Sequence, residues 1–375
     1  MTTKKASTRL TKHVAPLALA VLLGSGVFAV AYLGLPNFSV SYDGGASTTP
    51  VHAAPRLDTL AYDTKLLALA HIATSSLWYA AFLSGTTTVV LPGSTTTVAV
   101  APQPWPVRAP YPRYGALLPA HRVVAYYGNF FSTGMGVLGE YPEEVVLDKL
   151  RAAVAEWEHA DPTTPVIPAI EYIDVTAQGA PGKDGKYRLR MPDNQIDKAL
   201  AMAGQMNGIV ILDIQVGLST LPEELPLIRD YLAMPNVHVA IDPEFSMHNG
   251  EAPGTVIGTF SAEDINYAAQ YLAQLVDEYN LPPKILIVHR FTEDMVTNYK
   301  AIKPLPEVQI VMNMDGWGYP AKKLTTYYAV IAPEPVQFTG IKLFYKNDTR
   351  PPSTGLLSTT TILGLTPAPI YVQYQ

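Results

Sequence analysis

Five stretches of this chain share one pattern, an apolar run that finishes on an acid or a histidine. They are Pro165-Val-Ile-Pro-Ala-Ile-Glu171, Gly208-Ile-Val-Ile-Leu-Asp213, Val237-His-Val-Ala-Ile-Asp-Pro-Glu-Phe245, Lys284-Ile-Leu-Ile-Val-His289 and Val308-Gln-Ile-Val-Met-Asn-Met-Asp315. Read as extended chain, the third puts Val237, Val239 and Ile241 on one side. His238, Ala240, Asp242 and Glu244 fall on the other, so two carboxylates meet at the strand's C-terminal end. Ionisable groups gathered at the C-terminal ends of parallel strands are how a (β/α)8 barrel builds a site.

The intervening segments carry helical spacing. Val145, Val146, Leu150, Val154 and Trp157 predict a helix over Pro142–His159, with acids in its first turn. Further helices are expected over Asp193–Met206, Leu221–Leu232, Ser261–Tyr279 and Thr292–Ile302. Ser261-Ala-Glu-Asp264 is close to a capping box. Pro320–Val330 is a poor helix and Ser358–Leu363 a short one. With Arg122–Tyr127 as the first strand, Phe338–Phe344 as the seventh and Ile370–Tyr374 closing, eight strands occupy roughly 255 residues, the usual size of such a barrel. Strict alternation of strand and helix argues for a parallel sheet. A doubly wound open sheet is the rival, but it calls for a glycine-rich phosphate loop after strand one, and Tyr126-Tyr-Gly-Asn-Phe-Phe131 is not one.

Before the barrel the pattern changes twice. Lys4, Lys5, Arg9 and Lys12 precede an uncharged run from Val14 to Leu35, long enough to cross a bilayer with its basic flank inside. Residues 1–36 read as a signal anchor, or as a signal peptide cleaved near Ala29-Val-Ala31. Either way the barrel is exported, to the extracellular side of the membrane or into the medium. Residues 37–120 are rich in Thr, Ser, Pro, Gly and Ala and read as a linker. A short helix within Asp58–Leu83 is expected to lie against barrel or membrane, and residues 121–375 to form the barrel.

The chain has 375 residues, 26 Lys and Arg against 32 Asp and Glu, and no cysteine. The resulting formal charge of −6 disfavours nucleic acid as a partner. An exported protein without cysteine does not rely on disulfides. There is no Walker loop, dinucleotide fingerprint, Gly-x-Ser-x-Gly elbow or His-Glu-x-x-His motif, so no cofactor is expected.

The chemistry therefore rests on the strand ends. Asp242 and Glu244 are the sharpest pair, since one of two adjacent carboxylates can stay ionised while the other is pushed up into a general acid. Alternation places Gln309, Asn313 and Asp315 inward as well. Asp213, Gln215, Glu171 and His289 occupy similar ends, and Trp317, between two glycines, would suit sugar stacking. Tyr126 and Tyr371 belong to a wider set of rings at the same end. Acids mixed with flat apolar rings suit an oligosaccharide cleft, so a polysaccharide or glycan is the expected partner, besides the membrane through residues 14–35.

Asp242-Pro-Glu244 and Met312-Asn-Met-Asp315 fall on the fourth and sixth predicted strands. In this the chain distantly resembles the family 18 chitinases, carbohydrate-active (β/α)8 barrels with Asp-x-Glu ending strand four and Met-x-Tyr-Asp ending strand six. Met314 stands in place of that tyrosine, and Val239 and Ala240 in place of a longer acidic run. The resemblance implies that Glu244 protonates the glycosidic oxygen, that Asp242 orients a substrate amide, and that Asp315 helps hold that amide. The leading expectation is a surface-tethered glycosidase-like hydrolase acting on cell-wall or extracellular polysaccharide. A non-catalytic glycan-binding or envelope scaffold barrel is the alternative. A further one is a divalent-metal-dependent hydrolase in which Asp213, Asp242, Glu244, His289 and Asp315 converge.

Overall fold

A computed structural model describes residues 56–90, 97–101 and 103–375. Eight strands pair in parallel and close on themselves. They are β1 (Arg122–Gly128), β2 (Val166–Ala177), β3 (Ile209–Ile214), β4 (Val237–Ile241), β5 (Lys284–Arg290), β6 (Val308–Met314), β7 (Phe338–Leu343) and β8 (Tyr371–Tyr374). Each bonds to the next in chain order. Closure comes from β8, whose Tyr371–Tyr374 pairs with Val123–Tyr126 of β1. The eight strands are those read from the sequence, and the architecture is a (β/α)8 barrel.

Both faces of these strands are covered, which is why they read as nearly continuous apolar runs. Val124, Ile170, Leu212, Val239, Leu286 and Ile310 face the surrounding helices. Their neighbours Val123, Ala169, Ile211, Ala240, Ile287 and Val311 fill the barrel. Gly340 of β7 makes room inside, since a Cβ there would stand 2.7 Å from Asn313 Oδ1 and from the Tyr371 ring. Gly340→Ala should cost about 1–3 kcal/mol through overpacking, measurable by urea denaturation. An unchanged midpoint would mean that the interior yields more easily than its packing implies.

The helices largely follow expectation. Besides one-turn helices at Val137–Glu140, Leu221–Glu224 and Arg229–Leu232, they are, numbered along the chain, α1 (Thr59–Leu69), α2 (Leu77–Ser84), α3 (Glu143–Ala160), α4 (Asp193–Gly204), α5 (Ala262–Tyr279), α6 (Pro320–Thr326) and α7 (Thr359–Leu363). The predicted capping box opens α5, with Ser261 and Asp264 bonding reciprocally. The helix expected over Leu221–Leu232 is divided, because Pro226 lacks an N–H and Leu225–Ile228 tightens into a 3₁₀ turn. No α-helix forms over Thr292–Ile302. Two 3₁₀ turns there flank Val296–Thr297, which pairs in parallel with Phe260–Ser261. Asn298 is left-handed (φ 58°), and the Arg290 guanidinium holds the carbonyls of Thr292 and Glu293, so a regular helix cannot run through.

Within the stretch expected as linker, α1 and α2 lie across the N-terminal end of the barrel. Tyr62, Leu66, Leu67 and Phe82 pack with Leu118 against inward residues of the strands. The chain leading into β1 secures them. Arg108 sits 4.3 Å above the Phe82 ring, and Tyr111 donates to Asp63 at 2.7 Å. Among the described residues no helix is long and apolar enough to cross a membrane. The anchor expected at residues 14–35 lies outside the described residues.

Candidate active site

The inward alternation of β4 sorts its polar residues by depth. His238 lies near the base, where its Nδ1 accepts from the Ile285 N–H at 2.9 Å. Burial, aided by Lys284, holds its imidazole well below the ordinary value and therefore neutral. Asp242 follows the last strand residue, and Pro243 starts a 3₁₀ turn over Pro243–Phe245 that carries Glu244 to the rim. On β6 the same alternation puts Gln309 at the base, Asn313 higher and Asp315 just past the strand.

A cavity of about 610 Å³ opens at the C-terminal end of the barrel. Of the residues singled out in the sequence, Gln215, Asp242, Glu244, Asp315 and Trp317 line it. One oxygen from each of Asp242, Glu244 and Asp315 lies within 4.8 Å of the other two. Trp317 is 51% exposed, with Lys322 Nζ 4.6 Å above its ring. Glu171, Asp213, His289, Asn313 and Tyr371 do not reach the cavity; they are fully buried beneath it. Tyr126 points the other way, into the layer between barrel and helices, where its hydroxyl meets that of Tyr345 at 2.8 Å. Tyr126, expected to bind substrate, therefore does not line this cavity. The inward ring of β1 is Tyr127, one residue on.

The buried residues form a charged network. His289 Nδ1 stands 3.1 Å from Asp315 Oδ2, and its Nε2 stands 3.3 Å from Glu171 and 4.0 Å from Asp213. Tyr371 donates to the second oxygen of Glu171. Tyr127 donates to Asp213 at 2.8 Å and accepts from Gln215 at 3.2 Å. Lys342 of β7 was not foreseen as a functional residue. Its Nζ is 3.1 Å from Asp315 Oδ1, 3.4 Å from Oδ2 and 3.8 Å above the Tyr127 ring. The available signal was a lone lysine at an inward position of Phe338-Thr-Gly-Ile-Lys-Leu343.

These contacts divide the protons. Burial opposes charge on His289, but Asp315, Glu171 and Asp213 outweigh it and hold the imidazole well above its ordinary value. Burial likewise opposes charge on Asp315, yet Lys342 and His289 bring its carboxyl below the usual range. Burial pushes Glu244 up to about 7, with Asp315 adding to the rise. Asp242 is raised well above the carboxylate range by burial and then by Glu244, and its Oδ1 has no hydrogen-bond partner. Asp213 rises to about 6 through burial, restrained by His289. Three converging carboxylates can gather a hard cation. Here both oxygens of Asp315 already face Lys342 and His289, so the cluster carries its own positive charge. What remains is a charged carboxylate beside a carboxyl that titrates near neutrality.

No protein-family model matches the chain, and no curated protein matches it significantly. Solved structures do resemble it. A GH5 xyloglucan-specific endo-β-1,4-glucanase from a metagenomic library, in complex with cellotriose, is 12% identical, covering 66% of this chain and 81% of its own at a TM-score of 0.36. Cel5A of Thermotoga maritima, in complex with cellobiose, is 10% identical over 68% and 88% of the two chains, also at 0.36. The Bacillus subtilis mannanase man26 is 14% identical over 68% and 79%, at 0.38. Superposition at this level is weak, and the barrel stands on its own strand pairing. These neighbours are two glucanases and a mannanase; none is a family 18 chitinase.

Proposed function

We propose that this barrel is a glycosidase-like hydrolase acting on a polysaccharide or glycan, with Glu244 as proton donor and Asp315 as the charged carboxylate. The observation that carries the reading is the pairing of these two groups in the open cavity. Their oxygens lie within 4.8 Å, one carboxyl titrates at about 7, and the other is held ionised. Glu244 protonates the glycosidic oxygen as the bond to the anomeric carbon breaks. Positive charge then develops beside Asp315, which Lys342 and His289 hold ionised. With Asp315 as nucleophile the reaction takes the retaining course, in which the two carboxyl groups act in turn. Asp315 accordingly forms the glycosyl ester, and Glu244 returns as base to activate water. Asp242, buried with an unpartnered oxygen, binds a polar group of the substrate, and Trp317 supplies a face for a sugar ring.

The test is a screen of the full-length protein against chitin, peptidoglycan, β-glucan and mannan fragments, reading product and anomeric configuration. Turnover with retention supports the assignment. Binding without turnover would instead make this a non-catalytic glycan-binding barrel. We further propose that residues 14–35 tether the barrel outside the cell. A protease-accessible tag after Gln375 should then be cut on intact cells, and its protection would count against export.

A further inference from the structure

Three carboxylates this close cannot all carry negative charge in a buried site. The groups facing Asp315 come from several elements. Asp242 and Glu244 come from the end of β4, His289 from β5, Tyr127 from β1, Lys342 from β7 and Lys323 from α6. Of the three cations, His289 is divided among Asp315, Glu171 and Asp213. Lys323 is engaged by Asp348 at 3.0 Å and by the Gly316 carbonyl at 2.8 Å. Lys342 is different. Among the described residues its one ion pair is with Asp315, and it approaches both oxygens.

We infer that Lys342 is the positioning residue that selects Asp315 as the anionic member of the trio and so leaves the transferable proton on Glu244. This rests on reading the site as a carboxylate acid–base centre. The selection works by distance. A cation within about 4 Å favours the ionised form of its nearest acid, and an ionised Asp315 then disfavours charge on its neighbours. The Tyr127 face under Nζ provides a second attraction that helps keep the ammonium in place without water. Burial opposes charge on Lys342, but Asp315, then Asp242 and Glu171, outweigh it and raise its pKa.

The selection can be read without a substrate. A water-soluble carbodiimide with an amine couples to protonated carboxyls, and peptide mass spectrometry locates the product. Full-length wild type, Lys342→Met and Lys342→Arg would be labelled between about pH 5 and pH 8. In wild type Glu244 should couple with a midpoint near neutrality while Asp315 stays unreactive. Lys342→Met should raise Asp315 coupling near neutral pH by about tenfold or more, the effect of one unit of pKa. Lys342→Arg, still cationic, should keep the wild-type pattern. Unchanged Asp315 coupling in folded Lys342→Met would overturn the inference. So would wild-type Asp315 coupling as readily as Glu244, an outcome that needs no variant to fold. Failure of the glycosidase reading shows separately, as absent turnover with this labelling pattern intact.

Discussion

Glu244→Gln should lower turnover of a glycan substrate by about 10²–10⁴-fold, the usual contribution of a positioned acid, while glycan binding persists. Glutamine keeps the shape and hydrogen-bonding capacity of the side chain but cannot donate the proton. The same variant should gain stability at alkaline pH, for a reason independent of catalysis. Burial and Asp315 raise the folded-state pKa of Glu244 from 4.5 to about 7. A raised value means that the folded protein holds this proton more tightly than the unfolded chain. Wild type is therefore unpenalised below the unfolded value and loses stability as pH rises through about 7. Glutamine does not titrate, so the variant escapes that loss, by on the order of 3 kcal/mol at most above about pH 8. Urea denaturation at acid and alkaline pH measures the difference. Undiminished turnover would remove Glu244 from the mechanism, and a pH-independent stability difference would remove its raised pKa.

Beginning the chain at Arg113 should destabilise the barrel by about 5 kcal/mol or more, or leave it insoluble, relative to a chain beginning at Arg56. This truncation deletes Tyr62, Leu66, Leu67 and Phe82, which cover the N-terminal end of the interior. Burial of each such side chain is worth about 1.5–3 kcal/mol, and their loss would also expose Leu118 and the lowest residues of the strands. Lost as well are the hydrogen bonds from Lys65 to the Thr163 carbonyl and from Ala368 N–H to the Leu69 carbonyl. Equal denaturation midpoints for the two chains would mean that residues 121–375 stand alone, as the low-complexity composition of the preceding stretch suggests.

What the sequence determined by itself is the barrel and the depth of its acids. Strands buried on both faces require apolar runs, and parallel pairing requires a crossover between them; both leave local marks that a single chain displays. The same period of two placed Asp242, Glu244, Asn313 and Asp315 inward, because each lies a fixed number of residues from an unmistakable apolar strand. Where the phase of a strand lacked such a marker, local reading failed. In Arg122-Val-Val-Ala-Tyr-Tyr-Gly128 every residue is compatible with either face, and only pairing with β2 and β8 turns Tyr127 inward and Tyr126 out. The helix expected over Thr292–Ile302 is absent because Arg290 reaches across a loop, and the packing of α1 and α2 was decided by a barrel end that exists only once the strands have closed. Charge was the least legible property of all. Asp242, Glu244 and Asp315 look alike in the sequence, and the proton goes to one and not another because Lys342 and His289 arrive from β7 and β5 at about 3 Å from Asp315. Coulomb interactions in a buried site depend on distances between strands that closure brings together, and those distances are set by the tertiary fold.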